Sequence, residues 1–325
     1  MKFPEWVYAG SAASAFVLAL ASLPLWRSAC RRIGLVDDPG GRKTHEAPIP
    51  LAGGLAVLTG LLVPLLAAAA AAHFQWLDGH AGDRLAYGFE RRTGQLVAIF
   101  GGAIGMSLLG WFDDRHELRP ALKFAGQVLV AGLVAASGVR ITLFVPNVFF
   151  SFAVTLLWIV TVTNALNFLD NMNGLCTGLG IIAAVLFGLK AALLDQYLVA
   201  SIAFLAAGAL LGFLPFNFPR ASAFLGDSGS HLTGFLLSVL AILPHFHTPE
   251  RPKPLAVLTP LLVLAVPLAD LVWVVLFRWR LGRPFYVGDT NHLSHRLVRR
   301  GFGRTQAVLL IWAVAAVVGS VAFFL

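Results

Sequence analysis

The 325-residue sequence is short of charge: Asp, Glu, Lys and Arg together make up only 12% of it. Soluble globular proteins carry about a quarter, so an ordinary water-soluble domain is excluded. A disordered chain is excluded as well, because 58% of the residues are hydrophobic. Cysteine is scarce, with only Cys30 and Cys176. Two such residues make no disulfide framework, and neither stands in a metal-ligand spacing, which leaves packed, reduced thiols. Internal repeats and low-complexity linkers are missing, and with them the paired halves of many transporters. The start, MKFPEWVYAG, sets one lysine and one acid before its apolar run. That is a poor signal peptide, so the first segment is expected to be a retained span.

What the sequence has in abundance is apolar length. Its mean hydropathy is +0.79, and a span needs roughly 20 apolar residues. Ten segments qualify: 6–26, 51–72, 95–112, 121–137, 148–166, 174–190, 197–214, 229–243, 254–278 and 305–325. The expected fold is an all-α integral membrane protein of about ten transmembrane helices, a single polytopic domain over residues 1–325. Gly60 and Pro64 inside a span are no objection, since small residues let helices approach closely in lipid.

The basic residues give an orientation. Sixteen of the 24 Lys and Arg residues fall on the side holding the loops after the odd-numbered spans. The positive-inside rule puts that side in the cytoplasm and both termini outside. The distinctive polar stretches fall on the same side: GGRKTHEAPIPLAGG (40–54), GWFDDRHELRP (110–120), NALNFLDNMNGL (164–175), FLGDSGS (224–230) and GDTNHLSHRL (288–297). Five loops remote in sequence thus converge on one face, which is where an active site is expected.

Asp113 and Asp114 stand where an apolar helix leaves the membrane. Acids at that depth bind an ion, pair with a base or take part in chemistry; pairing with Arg115, Arg119 or Lys123 is the plainer alternative. Asp227 heads the eighth span between Gly226 and Gly229, as a magnesium ligand, an N-cap, or both. Asn164, Asn167 and Asn171, at i, i+3 and i+7, are expected on one helical face lining a polar cavity with Asp170, or else as interhelical glue. His292 and His295, beside Arg296, Arg299 and Arg300, form a cationic cluster suited to phosphate oxygens, and share a face if that stretch is helical. Lys43 and His45 make a second anion-binding candidate. Asp270 is a further acid within a span. Nucleic acid is excluded as a partner, because there is no soluble basic face or stacking platform. Carboxylates for a divalent metal, two cationic clusters and a polar cavity at the membrane surface suit phosphoryl transfer from a water-soluble donor to a lipid acceptor.

The order and spelling of DD, NxxNxxDxxNGL, FxGDxGS and HxxH, from about residue 30 to residue 304, resemble the polyprenyl-phosphate N-acetylhexosamine 1-phosphate transferases of glycosyltransferase family 4. The stretch RRIGLVDDPGGRKTHEAPIPLAGG is similar to the bacterial members that act on undecaprenyl phosphate with N-acetylglucosamine 1-phosphate. It is less similar to the enzyme of the first lipid step of peptidoglycan synthesis. The resemblance implies attack of the lipid phosphate on the β-phosphorus of a UDP-sugar, with UMP leaving, for cell-envelope polysaccharide synthesis. It implies Asp113, Asp114 and Asp170 as the catalytic acids, one of the adjacent pair acting as base. Asp227 and Asn167 become ligands of Mg²⁺, with Mn²⁺ as a substitute. Lys43, His45, Asn164, Asn173, His292, His295 and Arg296 become substrate-binding residues, Asn173 at the uracil edge and the two histidines at the donor phosphates. Three positions depart from the pattern: Asn173 replaces a bacterial Asp, Asn171 a customary glycine, and Ser294 a histidine. A bacterial inner (cytoplasmic) membrane location follows, with the bilayer as partner; a homodimer is compatible with the sequence. Other UDP-hexosamines or UDP-MurNAc-pentapeptide are alternative donors. A lipid-phosphate or anion transporter is the alternative from another class.

Overall fold

Backbone N–H and C=O groups find no water in hydrocarbon, so long apolar runs must bond internally and become helices. The computed structural model describes residues 5–39, 47–74, 76, 80–142, 145–244, 246, 254–284, 286, 287 and 289–325, and it is almost wholly helical. In chain order these residues form α1 (Trp6–Ile33), a short antiparallel pair β1 (Val36–Asp37) and β2 (Ile49–Pro50), α2 (Gly53–His73), α3 (His80–His116) and α4 (Pro120–Ala136). There follow α5 (Val148–Leu169), α6 (Leu175–Leu193), α7 (Tyr197–Asn217) and α8 (Gly226–Ile242). A 3₁₀ turn (Pro254–Leu258) leads into α9 (Thr259–Val263) and α10 (Ala265–Arg280), and then α11 (Leu293–Arg299) and α12 (Arg304–Ser320) close the chain.

Each expected span falls on helix, and the chain is a multi-pass membrane protein. Among the described residues, seven helices are long and apolar enough to cross a bilayer, eight if the bent pair at residues 254–280 counts as one. The helices α4 and α8 are 17 residues each. The unbroken span expected over 254–278 is instead bent by 68°. Pro267 has no N–H for the carbonyl of Val263, and Leu264 leaves helical geometry at φ −101°, ψ 18°. The helix around 95–112 extends back to His80, with non-helical geometry at Arg92.

The centre of the bundle is α6, α7 and α8, whose faces are buried nearly all round. Against them pack α1, α2, α3, α5 and α12. Close approach rests on small residues: a Cβ at Gly208 or Gly212 of α7 would run into the backbone of Ala12 or Phe16 on α1. Outward the surface is apolar, with Leu66, Val97, Leu133, Leu157 and Val317 exposed as a lipid-facing wall requires. The polar turns after α1, α3, α5, α7 and α10 gather at one end.

Candidate active site

At that end lies a cavity of about 1030 Å³, lined from five chain segments by Asp37, Asp113, Asp170, Asn173, Asp227 and His295 among others. Beside it Lys123, one turn into α4, holds two of the lining acids together. Its Nζ lies 2.6 Å from Asp113 Oδ2 and 2.7 Å from Asp227 Oδ2, and donates to Asn167 Oδ1 at 3.2 Å. Asn167 Nδ2 in turn donates to Asp227 Oδ1 at 2.8 Å and to Ser230 Oγ at 2.9 Å. Two carboxylate oxygens and an amide oxygen therefore converge on one point of positive charge. Hard oxygen donors of this kind suit Mg²⁺ or Mn²⁺. Among the described residues no three His, Cys, Asp or Glu side chains group closely enough to hold a metal ion by themselves.

Asp114 does something different from its neighbour. Its two oxygens accept the backbone N–H groups of Asp227 (2.8 Å) and Ser228 (3.1 Å), capping the first turn of α8 from another helix. The fit needs two glycines. Gly226 has φ +71°, and a Cβ there would lie 2.8 Å from Asp114 Oδ2; a Cβ at Gly110 would strike the Asp227 backbone. Asp113 instead accepts from Leu118 N at 2.8 Å through Oδ1 and turns Oδ2 to Lys123.

The amide-rich stretch is not one helical face. The helix α5 ends at Leu169 and Asp170 takes ψ 46°, so Asn171 lies in the turn beyond. Asp170, in that turn, lines the cavity, and burial followed by the charge of Asp227 pushes its carboxyl up to about 8. Asn173 also lines the cavity and donates to Pro219 O at 3.2 Å. Asn164 lies deeper, where its Nδ2 donates to Gln127 Oε1 at 2.7 Å and to its own helix at Val160 O, making it an α4–α5 tie.

The histidine segment is held by α10. His292 is the N-cap of α11 with extended geometry, φ −60° and ψ 152°, so it shares no helical face with His295, although their rings lie 6.5 Å apart. Buried Asp270 accepts from the His292 ring at 2.7 Å and from Leu293 N at 2.6 Å. Buried Arg278 binds Asp289 at 2.9 Å and lies over the Phe168 ring. Burial alone would raise the Asp289 carboxyl, but the Arg278 hydrogen bond holds it below its ordinary value. His295 reaches the cavity; burial and then the positive charge of His292, Arg304 and Arg299 hold its ring below the usual imidazole range. Arg296 turns away, its guanidinium 4.3 Å from the centroid of Trp273.

Of the residues expected from sequence, the structure brings Asp113, Asp114, Asp170, Asn173, Asp227 and His295 to one cavity, with Asn167 bonded to Asp227. Lys43 and His45 lie outside the described residues; the β1–β2 pair joins the chain on either side of them. Lys123 stood in the sequence only as an ion-pair partner for the acids, yet it bonds to three site residues. A base one turn after Pro120, ten residues past Asp113, was its available signal. Asp37, Asp289 and Glu117 also line the cavity and carried no separate signal.

Fold and cavity together define a polytopic membrane protein with an acid- and amide-lined site at its helix ends. Comparison with known proteins narrows that class. Residues 96–245 match the family described as glycosyl transferase family 4. The chain is 34% identical over 331 residues to the decaprenyl-phosphate N-acetylglucosaminephosphotransferase of Mycobacterium tuberculosis (strain H37Rv), covering 94% of this chain and 79% of the relative. It is 29% identical over 312 residues to the probable undecaprenyl-phosphate N-acetylglucosaminyl 1-phosphate transferase of Bacillus subtilis (strain 168), covering 92% and 81%. Against the undecaprenyl-phosphate alpha-N-acetylglucosaminyl 1-phosphate transferase of Escherichia coli K12 the identity is 28% over 321 residues, covering 95% and 81%. The chain belongs to glycosyl transferase family 4.

Proposed function

We propose that the chain transfers N-acetylglucosamine 1-phosphate from UDP-N-acetylglucosamine to undecaprenyl phosphate, releasing UMP and leaving a lipid-linked diphosphosugar for cell-envelope polysaccharide synthesis. The observation that carries this reading is the convergence of Asp113, Lys123, Asn167 and Asp227, from four different helices, beside one polar cavity. The names of the relatives support the sugar and the lipid.

In this reading an oxygen of the lipid phosphate attacks the donor β-phosphorus, a new P–O–P linkage forms, and the bond to the UMP oxygen breaks. Asp113 supports the base role better than Asp114: its Oδ2 faces the lysine and the cavity, whereas both oxygens of Asp114 are held by α8. Asp113 takes the proton of a monoprotonated lipid phosphate and keeps the attacking oxygen ionised. The Lys123 ammonium holds Asp113 and Asp227 in register, and His295 and Asn173 hold the donor from the cavity wall. Mg²⁺ or Mn²⁺ held by Asp227 and Asn167 would neutralise charge on the transferring diphosphate. The whole chain acts as one domain of ten spans in the bacterial inner membrane, with the cavity facing the cytoplasm and both termini outside. The excess of basic residues at the cavity end supports that orientation.

The test mixes membranes bearing the protein with Mg²⁺, undecaprenyl phosphate and radiolabelled UDP-N-acetylglucosamine. Lipid-extractable label with stoichiometric UMP is expected. No product with any UDP-N-acetylhexosamine would overturn the reading, and anion movement without UMP would mark a transporter. Full activity of Asp227→Ala would overturn the metal assignment.

A further inference from the structure

Asn171 and Ser294 are 123 residues apart in sequence and touch: Ser294 Oγ donates to Asn171 Oδ1 at 2.7 Å. The other end of the same amide is also occupied, since Asn171 Nδ2 donates to Phe168 O at 2.8 Å. Flipping the amide would turn Oδ1 against the Phe168 carbonyl and lose that bond, so its orientation is fixed. Ser294 is fully buried, and no solvent competes for its hydroxyl. Asn171 lines the cavity, and each polar end of its amide is tied to the protein by one hydrogen bond.

The two residues join neighbouring segments of the cavity wall. Asn171 belongs to the turn after α5, between Asp170 and Asn173; Ser294 precedes His295 on α11; and Asp170, Asn173 and His295 all line the cavity. From its other side α11 is held by α10, through Asp270 and Leu293. We infer that the Asn171–Ser294 hydrogen bond is a latch between two segments of the donor cavity's wall: it fixes the position of Asn173 relative to His295, and so the affinity for the donor, without touching the reacting atoms. Both residues are positioning residues. The identity of the donor rests on the function proposed above.

Full-length protein in detergent, as wild type, Asn171→Ala, Ser294→Ala and the double variant, tests the latch in steady-state transfer. A neutral hydrogen bond of ordinary strength corresponds to about three- to tenfold in binding. Each single variant is expected to raise the KM for UDP-N-acetylglucosamine by about that factor, with kcat within about twofold and the KM for undecaprenyl phosphate unchanged. The double variant is expected to be no worse than the worse single one, because both remove the same bond. Donor KM values that stay at the wild-type level, or multiply in the double variant, would overturn the latch. So would a fall in melting temperature with no change in donor KM. If an alanine variant fails to fold, Ser294→Cys, which keeps a weaker donor of similar size, is expected to fall between wild type and full loss; a wild-type KM there would overturn the latch. If the wild type makes no product, the proposed transfer fails, and the same variants are then read by calorimetric binding of UDP-N-acetylglucosamine. The expected Kd ratios are the same, and unchanged or absent binding overturns the latch separately.

Discussion

Asp113 and Asp114 are adjacent, yet their side chains serve different neighbours. One faces Lys123, and the other caps α8. Their variants should therefore fail in different ways. Asp113→Asn keeps the shape and loses the base, so transfer is expected to fall about 10²–10⁴-fold with the melting temperature near wild type. Asp114→Ala leaves two first-turn N–H groups of α8 without acceptors, at a cost of about 1–2 kcal/mol, read as a lower melting temperature together with lost activity. Equal melting of the two variants would refute this division. Asp170 gives a pH dependence. Its carboxyl is held up to about 8 in the folded protein, against an ordinary value of 3.8. Between those values the folded state binds the extra proton, so its stability falls as pH rises through that window. Melting followed from pH 5 to pH 8 is expected to decline, and Asp170→Asn to lose that part of the slope.

Among the elements, α10 does more than cross the bilayer. Asp270 ties the His292 ring and the first N–H of α11, and Arg278 ties Asp289 two turns further on, so one helix sets the course of the whole histidine segment. Asp270→Ala unmakes two buried hydrogen bonds at about 1–3 kcal/mol. It is expected to raise the donor KM about tenfold and to expose residues 289–299 to hydrogen exchange; unchanged exchange there would refute the tie. The sequence showed Asp270 only as an acid in the wrong medium, because its partners lie 22 and 23 residues on, beyond any helical period. The same limit explains Asn171 and His292. Helical spacing set each on a shared face, but a chain turn after Leu169 and an extended N-cap broke both periods, and neither leaves a mark in apolar patterning. By contrast DD and FLGDSGS were legible because acids beside long apolar runs are costly enough to stand out.

For the whole molecule the spans were legible for a plain reason: hydrocarbon forces apolar length and internal bonding together, so composition alone marks each helix. The bend at Leu264 was less legible, since prolines in spans are common and only packing decides whether one kinks or breaks. Sidedness is testable because Cys30 and Cys176 are both buried and give a quiet background for thiol labelling. A cysteine at exposed Arg119 is expected to react with an impermeant maleimide only when the cytoplasmic side is opened, and one at exposed Asp195 in intact cells. The reverse pattern would invert the orientation.

The cap on α8 has a consequence for how the site lets go. A free helix end can hold a phosphate through its unpaired backbone N–H groups. Here that end is already occupied by a carboxylate of the protein itself. The hold on a nucleotide is left to side chains lining an open polar cavity, where dissolved ions compete. Inhibition by the departing mononucleotide should therefore weaken as ionic strength rises, and the site should empty readily between turnovers.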